Sequence, residues 1–340
     1  MGYYAERILQ AAITLLGGLF IAYALYRLMP GGPMQAIIAS IVQRQVERGE
    51  HVQADVVADR AQRMTGINPE EGIIEGFYNY IYGIIVHQEF GRSIAFSEPA
   101  FDILFRVMPW SVLISGYGLL FGFLTTLLVG ALMAWKEGTK LDSGLTVLVL
   151  TISSIPYYIF AIFMLIVFGF QWGILPTGGR YPPTADPGFN MEFMIGVVSH
   201  ASMPIMTTFF VAFAGGALHM RANTVRIMGE EYLRSARIRG VSTNRILTRY
   251  LTRNAVLPMY TGLMIGIAGV FSSNVIVEVI FSYQAVGWFT LEALLRQDYP
   301  LLMAAFVFFA SITVVAILVA DLTYGLIDPR AGSAADREAY

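Results

Sequence analysis

Residues 107–135 read VMPWSVLISGYGLLFGFLTTLLVGALMAW and contain no Asp, Glu, Lys or Arg. An α-helix rises about 1.5 Å per residue, so roughly 20 apolar residues cross the hydrocarbon core of a bilayer, which is about 30 Å thick. This stretch is therefore long enough to span a membrane. It predicts a chain folded in a bilayer rather than around an aqueous globular core.

Five other stretches of comparable length also lack charged residues. They are residues 8–26, 143–179, 193–220, 254–277 and 299–320. We count residues 143–179 as one helix, with a kink at Pro156 and an exit near Trp172, because a glycine-rich segment follows. The sequence thus predicts an all-α membrane protein with six transmembrane helices.

The composition agrees with this prediction. The chain has 340 residues, of which 56% are hydrophobic and 14% charged, and its mean hydropathy is +0.60; soluble domains have roughly 25% charged residues. It has no cysteine, which excludes disulfides, thiolate nucleophiles and zinc sites built on cysteine. A net charge of −2 gives no indication of a nucleic-acid partner.

One connection between spans predicts the orientation. Residues 221–258 carry eight arginines and two glutamates, a net charge of +6. Short loops rich in Lys and Arg remain on the cytoplasmic side, so this loop is expected to be cytoplasmic. With six spans, both termini are then cytoplasmic, and the chain is a multi-pass protein of the plasma or inner membrane, in contact with membrane lipid.

The spans divide the chain into four regions. Residues 1–30 hold the first transmembrane helix, and residues 31–106 are predicted to form an external helical subdomain. Residues 107–330 form a core of five transmembrane helices, and residues 331–340 form a cytoplasmic tail. A tyrosine-rich segment from Gly76 is too short to span and is expected at the membrane surface or in the subdomain.

The sequence lacks the residues of several kinds of active site. A P-loop needs Gly-Lys followed by Ser or Thr, but Lys136 follows Trp135 and Lys140 follows Thr139. The four histidines have no partner at the spacing of metal ligands. We therefore predict no enzymatic activity, no catalytic residue, no metal ligand and no cofactor bound by this chain itself.

The arginine-rich loop contains a short predicted helix. Residues 231–239 include neither Pro nor Gly, and Gly240 stands where a left-handed residue would end that helix. Ser242 is expected to cap a second helix that runs to Asn254. Such a projecting helical pair offers a contact surface to another protein, although on charge alone the alternative is a loop held by anionic lipid head groups.

The loop resembles the coupling motif of a known transporter family. YLRSARIRG at residues 232–240 and RNAVLP at residues 253–258 are similar to motifs of permease subunits of ABC importers, in the dipeptide/oligopeptide/nickel branch. Further similar runs are EFGRSIAFSEPAFDILFRVMPWS from Glu89, VEVIFSYQAVGW, RQDYP and DLTYGLIDPR. The generic motif of these importers begins Glu-Ala-Ala, and this chain has Arg234, Ser235 and Ala236 instead.

The resemblance implies a fold like that of type I ABC importer permeases and a place in a larger assembly. The chain would form half of a translocation pore, together with a second homologous permease subunit, two cytoplasmic ATPase subunits that bind ATP and Mg, and an external substrate-binding protein. The residues implied in coupling to the ATPase are Glu231, Tyr232, Leu233, Arg234, Ser235, Ala236, Arg237, Arg239 and Gly240.

The resemblance leaves several alternatives open. The substrate would be a dipeptide, an oligopeptide, nickel or an oligosaccharide. The external residues 31–106 would either dock the binding protein or form a lid. A transporter that works alone, without ATP, is the other class considered, but it would be expected to show internal repeats and ionisable pairs at mid-membrane, and neither is clear here.

Two acidic residues near span ends are further candidates. Glu278, at the outer end of the fifth span, is expected either to face the pore or docking surface or to make a structural hydrogen bond. Asp321, near the inner end of the sixth, is expected to pair with an arginine of the loop.

Overall fold

A computed structural model describes most of the chain. The described residues are 3–29, 33–49, 54–65, 71–242, 245, 259, 262–267, 269–271 and 274–327. They form helices, turns and one isolated β-bridge between Arg92 and Pro99, and no β-strand is found within these ranges. The described part of the chain is therefore all-α, as predicted.

Twelve α-helices have both ends within the described residues and are numbered here in chain order; residues 262–267 and 269–270 are helical as well. The twelve are α1 (Tyr3–Leu28), α2 (Pro33–Glu47), α3 (Ala54–Thr65), α4 (Ile73–Tyr82), α5 (Ala100–Trp135), α6 (Lys140–Ser154), α7 (Tyr157–Met164), α8 (Met191–Met228), α9 (Glu231–Ile238), α10 (Val275–Ile280), α11 (Val286–Leu295) and α12 (Tyr299–Ile327). Two π-helical segments, Gly83–His87 and Leu165–Gln171, directly follow α4 and α7.

Four of these helices are long and apolar enough to cross a membrane: α1, α5, α8 and α12. A fifth span results if α6 and α7, with its π-helical extension, are counted together. The prediction of six spans is thus not confirmed, since four or five are found among the described residues. Of the predicted fifth span, residues 254–277, ten of the 24 residues lie outside them, and residues 262–267 and 269–270 are helical. Most of the helix predicted from Ser242 to Asn254 also lies outside the described residues.

The prediction that residues 143–179 form one helix is wrong. The two helices α6 and α7 meet at an angle of 93°. Between them, Ile155 has an extended backbone with ψ of 120°, and Pro156 is the N-cap of α7. Proline disfavours the helical conformation of the residue before it and lacks the N–H that a continuous helix would need. It does not break a helix by itself, because Pro109 and Pro204 lie inside α5 and α8. The position of the break was predictable, but its size was not.

Two membrane helices extend beyond the charge-free stretches that predicted them. Helix α5 begins at Ala100 and so includes Asp102 and Arg106, while α8 continues past Arg221 to Met228. Arg106 forms an ion pair with Glu98 (2.9 Å). A charged residue ends the apolar stretch but does not end the helix when it has a partner or reaches water.

The chain forms two compact units, Met1–Pro109 with Ala285–Tyr340, and Trp110–Gln284. In the first unit, α1 packs along α12. One cluster of its core joins these helices to α4 through Leu19, Tyr23, Tyr80, Met303 and Val307. Helices α2 and α3, in the region predicted to be external, pack on each other through Ile37, Ile41, Val57 and Ala61.

In the second unit, α5 and α8 approach each other closely at glycines. A Cβ atom at Gly130 would lie 2.5 Å from Cβ of Met220, and one at Gly216 would lie 2.5 Å from Oγ1 of Thr126. Small residues let membrane helices come into backbone contact in this way, where the bilayer supplies little hydrophobic driving force. The α5–α8 pair carries the candidate site at its end.

Candidate coupling site

Helix α9 is joined to the end of α8 by a two-residue connection. Gly229 caps α8, and the backbone N–H of Leu233 donates to the carbonyl of Glu230 (3.1 Å) as the next helix begins. The chain thus turns from the long helix α8 directly into the short helix α9. This leaves α9 little freedom of position.

One face of α9 is buried against its own chain. Leu233 is 0% exposed and Ala236 is 6% exposed, and both pack against Ile227 and Met228 of α8 and against Val241. The apolar contact holds α9 on the end of α8. Leu233 and Ala236, which the sequence analysis includes among the coupling residues, therefore contact this chain itself.

The other face of α9 is open to the surroundings. Ile238 is 80% exposed and Tyr232 is 40% exposed. The remaining coupling residues with described side chains are also exposed: Glu231, Arg234, Ser235, Arg239 and Gly240. Arg237 also lies in α9. The exposed surface combines one large aliphatic side chain with charges of both signs.

Gly240 ends α9 as the sequence predicts. Its φ is +72°, in the left-handed region, and the N–H of Val241 donates to the carbonyl of Ala236 (3.1 Å). This six-residue hydrogen bond together with the apolar contact of Val241 is the Schellman motif, which satisfies a carbonyl at the helix end. A Cβ at Gly240 would meet no described atom within 4 Å, so only the backbone conformation requires glycine here.

An ion pair joins α8 to α6, about two helical turns before the end of α8. Arg221 donates from Nε to Oδ1 of Asp142 and from Nη2 to Oδ2, each at 2.8 Å. The two parallel bonds fix both planar groups, and such charge-assisted pairs are among the strongest hydrogen bonds in proteins. The Asp142 side chain is 6% exposed and that of Arg221 is 29% exposed, so water competes little for the carboxylate.

Asp142, in the first turn of α6, also bonds to the connection between α5 and α6. Gly138, with φ of +76°, donates its N–H to Oδ2 of Asp142 (3.2 Å). Thr139 caps α6 by accepting from the N–H of Asp142 (3.4 Å). A single carboxylate therefore connects the α5–α6 turn to α8.

The sequence analysis missed this pair. It began the third charge-free stretch at residue 143, directly after Asp142, and gave Asp142 no role. The signal available was one carboxylate beside an apolar stretch, on the same predicted side of the membrane as eight arginines. Which arginine it contacts depends on helix packing, which the sequence does not specify.

Glu278 is buried elsewhere in the same unit. It is 1% exposed, lies in α10, and accepts a hydrogen bond from Oγ of Ser111 (2.7 Å). Burial raises the pKa of the nearby Tyr283 phenol above its ordinary value, so that group stays neutral. The carboxylate of Glu278 is therefore not presented at the surface of this chain.

The described residues contain no group of three or more His, Asp or Glu side chains arranged to hold a metal ion. The ion pair and the exposed face of α9 can orient helices and bind a protein partner. Neither provides a nucleophile or a general base.

Comparison with known proteins shows that the chain matches one protein family. A model of the family described as "Binding-protein-dependent transport system inner membrane component" matches residues 126–333, more than half of the chain. The chain belongs to this family of ABC importer permeases. The matched residues include both members of the ion pair, all of α9, Gly240 and Glu278.

Relatives match over nearly the full length. The oligopeptide transport system permease protein AppB of Bacillus subtilis is 26% identical over 333 residues, which cover 96% of this chain and 98% of AppB. The dipeptide transport system permease protein DppB of Escherichia coli K12 is 23% identical over 334 residues, which cover 93% and 94%. This family member is therefore a multi-pass membrane protein similar to peptide permeases along its whole length.

Proposed function

We propose that this chain is the permease subunit of an ATP-driven, binding-protein-dependent importer of di- and oligopeptides in the cell membrane. The support is the family membership and the similarity to AppB and DppB over more than nine-tenths of the chain. In this proposal the chain forms half of the pore, and a second homologous permease subunit forms the other half.

Helix α9 is the element that couples this pore to ATP. The observation that carries this proposal is the division of α9 into two faces. Leu233 and Ala236 fasten the helix to α8, while Ile238 and the charged residues stay exposed. A rigidly mounted helix with an exposed apolar residue is suited to insertion into a groove of a partner protein.

The partners follow from what the chain lacks. It has no Gly-Lys-Ser/Thr sequence, so ATP and Mg are bound by two separate ATPase subunits on the cytoplasmic side. The arginine-rich loop faces those subunits, and both termini lie on the same side. An external binding protein delivers the substrate and docks on residues 31–106, where α2 and α3 form a small packed unit.

The mechanism is mechanical. ATP-driven closure of the two ATPase subunits moves the groove that holds α9, and α9 moves α8 because Leu233 and Ala236 are buried against it. Helix α8 packs on α5 through glycines, so the movement reaches two pore-side helices. The exposure of the pathway then alternates between the two sides of the membrane.

The substitution Ile238→Glu tests the docking of α9. It places a charge at the most exposed apolar residue of α9 without touching its buried face. We expect about a tenfold or greater loss of co-purified ATPase, because central apolar anchors of interfaces contribute about 1.4 kcal/mol or more. Val46→Glu, at an exposed valine in α2 (64% exposed), is the matched control and should leave ATPase recovery unchanged.

The alternative is that anionic lipid, and not an ATPase, holds the loop. In that case the same proteins, in the same amounts, will co-purify with the Ile238→Glu and Val46→Glu variants. Equal ATPase recovery in wild type and Ile238→Glu would remove α9 from the coupling mechanism.

A further inference from the structure

We propose that the ion pair of Asp142 with Arg221 is a positioning contact that makes the α5–α6 turn move as one body with the end of α8 that carries α9. This inference rests on the proposed function, in which α9 receives the movement of the ATPases. It adds the route by which that movement reaches α5.

The geometry of the pair is better suited than a single hydrogen bond to transmit a movement of α8 to the α5–α6 turn. Two parallel bonds of 2.8 Å join Arg221 to Asp142, so neither group can rotate without breaking one of them. The side chain of Asp142 is buried, with an exposure of 6%, whereas that of Arg221 is partly exposed, at 29%. Separation of the pair would leave the buried carboxylate without its cation, and this cost opposes separation.

Asp142 passes a displacement of Arg221 on to the α5–α6 turn. Its carboxylate accepts from the N–H of Gly138, and its own N–H donates to Thr139. Thr139 in turn donates from Oγ1 to the carbonyl of Lys136 (2.6 Å), the residue that follows the end of α5. The turn is thus closed by hydrogen bonds from Lys136 to Asp142.

The pair adds a strong contact to the packing of α5 and α8. Gly130 and Gly216 allow the two helices to touch, which sets the distance between them. Two long hydrogen bonds also join the helices, from Oγ1 of Thr126 to the carbonyl of Phe213 (3.4 Å) and from Oγ1 of Thr208 to the carbonyl of Ile114 (3.5 Å). The bidentate ion pair is shorter than either bond and charge-assisted, so it strengthens the axial register at the end of this contact.

Arg221 connects the ion pair to α9, because it lies in the helix that directly precedes α9. Arg221 precedes the last residue of α8, Met228, by about 10 Å along the helix, at 1.5 Å per residue. Helix α9 follows after two residues and is packed on Met228 and Ile227. Displacement of α9 therefore acts on Arg221 through two turns of rigid helix.

Distances between spin labels test whether the two elements move together. The chain has no cysteine, so labels at Lys136→Cys and Glu230→Cys, both at exposed positions, are the only ones it carries. Double electron–electron resonance is measured on the complete complex in nanodiscs, without nucleotide and after trapping with ATP and vanadate. With the pair intact, we expect one narrow distance distribution that is the same in both states.

Breaking the pair should uncouple the two labels. In the Asp142→Asn background we expect the distribution to broaden or shift on trapping, and Arg221→Lys, which keeps the charge but loses the fork, should do the same. Asp142→Asn combined with Arg221→Gln should broaden it no further than the single change, because the two residues act as one contact. Glu292→Gln, which breaks the exposed pair with Arg296 (2.9 Å), is the control and should leave the distribution narrow.

Three results would overturn the inference. The first is a wild-type distance distribution that changes on trapping, and the second is a distribution in Asp142→Asn that stays narrow and unchanged. The third is failure of both the Asp142→Asn and the Arg221→Lys complexes to assemble, which would assign the pair to folding alone. The proposed function is tested separately, and it fails if no ATPase co-purifies with the wild-type chain. If the Asp142→Asn complex hydrolyses ATP and its distribution of distances between the labels is the same as in wild type, only the role of the pair is refuted.

Discussion

Gly240 is the residue whose backbone most directly sets the geometry of the coupling site. Its φ of +72° is unfavourable for any residue with a Cβ, and a β-branched residue there costs about 1–3 kcal/mol. We expect Gly240→Val to reduce peptide uptake while leaving the amount of protein in the membrane unchanged, because the turn after α9 is altered and the membrane helices are not. Uptake is measured in cells and normalised to membrane protein by immunoblot.

Gly173 provides the matched control. It has φ of +61°, and a Cβ there would also meet no described atom within 4 Å, but it follows the π-helical segment after α7 rather than α9. Gly173→Val should therefore introduce the same strain without loss of uptake. Equal uptake by the two variants would show that the turn at Gly240 has no special part in coupling.

The bond between Ser111 and Glu278 allows a second test at this scale. Removing the donor with Ser111→Ala leaves a buried carboxylate with one partner fewer, which costs about 1–3 kcal/mol of folding stability. We expect a lower melting temperature of the purified protein. Ser153→Ala is the control, because its hydroxyl is exposed and donates only to the carbonyl of Leu150 in its own helix.

Uptake and melting temperature of a Glu278→Gln variant distinguish between the two roles considered for Glu278. If the role is structural, Glu278→Gln should keep most of the uptake, since an amide oxygen can still accept from Ser111. A loss of uptake in Glu278→Gln without a change in melting temperature would instead assign the residue to the pore or the docking surface.

Residue partners were the least predictable feature of the sequence. Asp321 was expected to pair with an arginine of the loop; it lies 3.7 Å from Arg7 of α1, and most of the loop after Ser242 is outside the described residues. The Asp142–Arg221 pair was not expected at all. In both cases the sequence indicates that a membrane carboxylate needs a partner, but only the packing of helices determines which arginine is near.

At the scale of elements, the buried face of α9 is the feature to test. Leu233→Ala removes a fully buried side chain from the contact with Ile227 and Met228, a loss of about 2–5 kcal/mol. We expect α9 to detach locally from α8, seen as faster hydrogen exchange of the backbone amides of α9. Ile238→Ala is the control: it should leave exchange unchanged in the free chain, because Ile238 is 80% exposed.

The contrary result would be equal exchange in the two variants. It would mean that Leu233 does not fasten α9 to α8, and α9 would then lack the rigid mounting on which the mechanism depends.

The elements themselves were largely predictable, because length and apolarity are enough to find a spanning helix. Helices α1, α5, α8 and α12 each contain one predicted charge-free stretch. Their ends were not predictable, since α8 continues past Arg221 once that side chain finds Asp142. Proline favours a break at Pro156 but does not require one, since Pro109 and Pro204 lie inside α5 and α8. The angle of 93° depends on what α6 and α7 pack against.

At the scale of the whole molecule, hydropathy gave no information on which helices pack together. One unit joins the start of the chain to its end through α1 and α12, which are far apart in sequence. Hydropathy likewise cannot distinguish a broken span from two separate segments. The arrangement of helices depends on shape and small residues, of which Gly130 and Gly216 are examples.

The proposed orientation can be measured directly, because the chain has no native cysteine. Single cysteines at Arg48→Cys, after α2, and at Arg226→Cys, near the end of α8, probe the two sides. With an impermeant maleimide on intact cells, we expect Arg48→Cys to be labelled and Arg226→Cys to react only after permeabilisation. The reverse pattern would invert the topology and place α9 outside, away from any ATPase.

The central claim is that this chain forms part of a pore that moves peptides only when separate ATPases hydrolyse ATP. The most direct measurement is uptake of radiolabelled dialanine, with maltotriose as the oligosaccharide comparison, by the complex purified from native membranes and reconstituted in proteoliposomes. We predict dialanine uptake that requires ATP, the ATPase subunits and the binding protein, and that is lost in Ile238→Glu. Uptake by this chain alone, without ATP or partners, would contradict the account, and ATP-dependent uptake of maltotriose in place of dialanine would contradict its assignment to peptides.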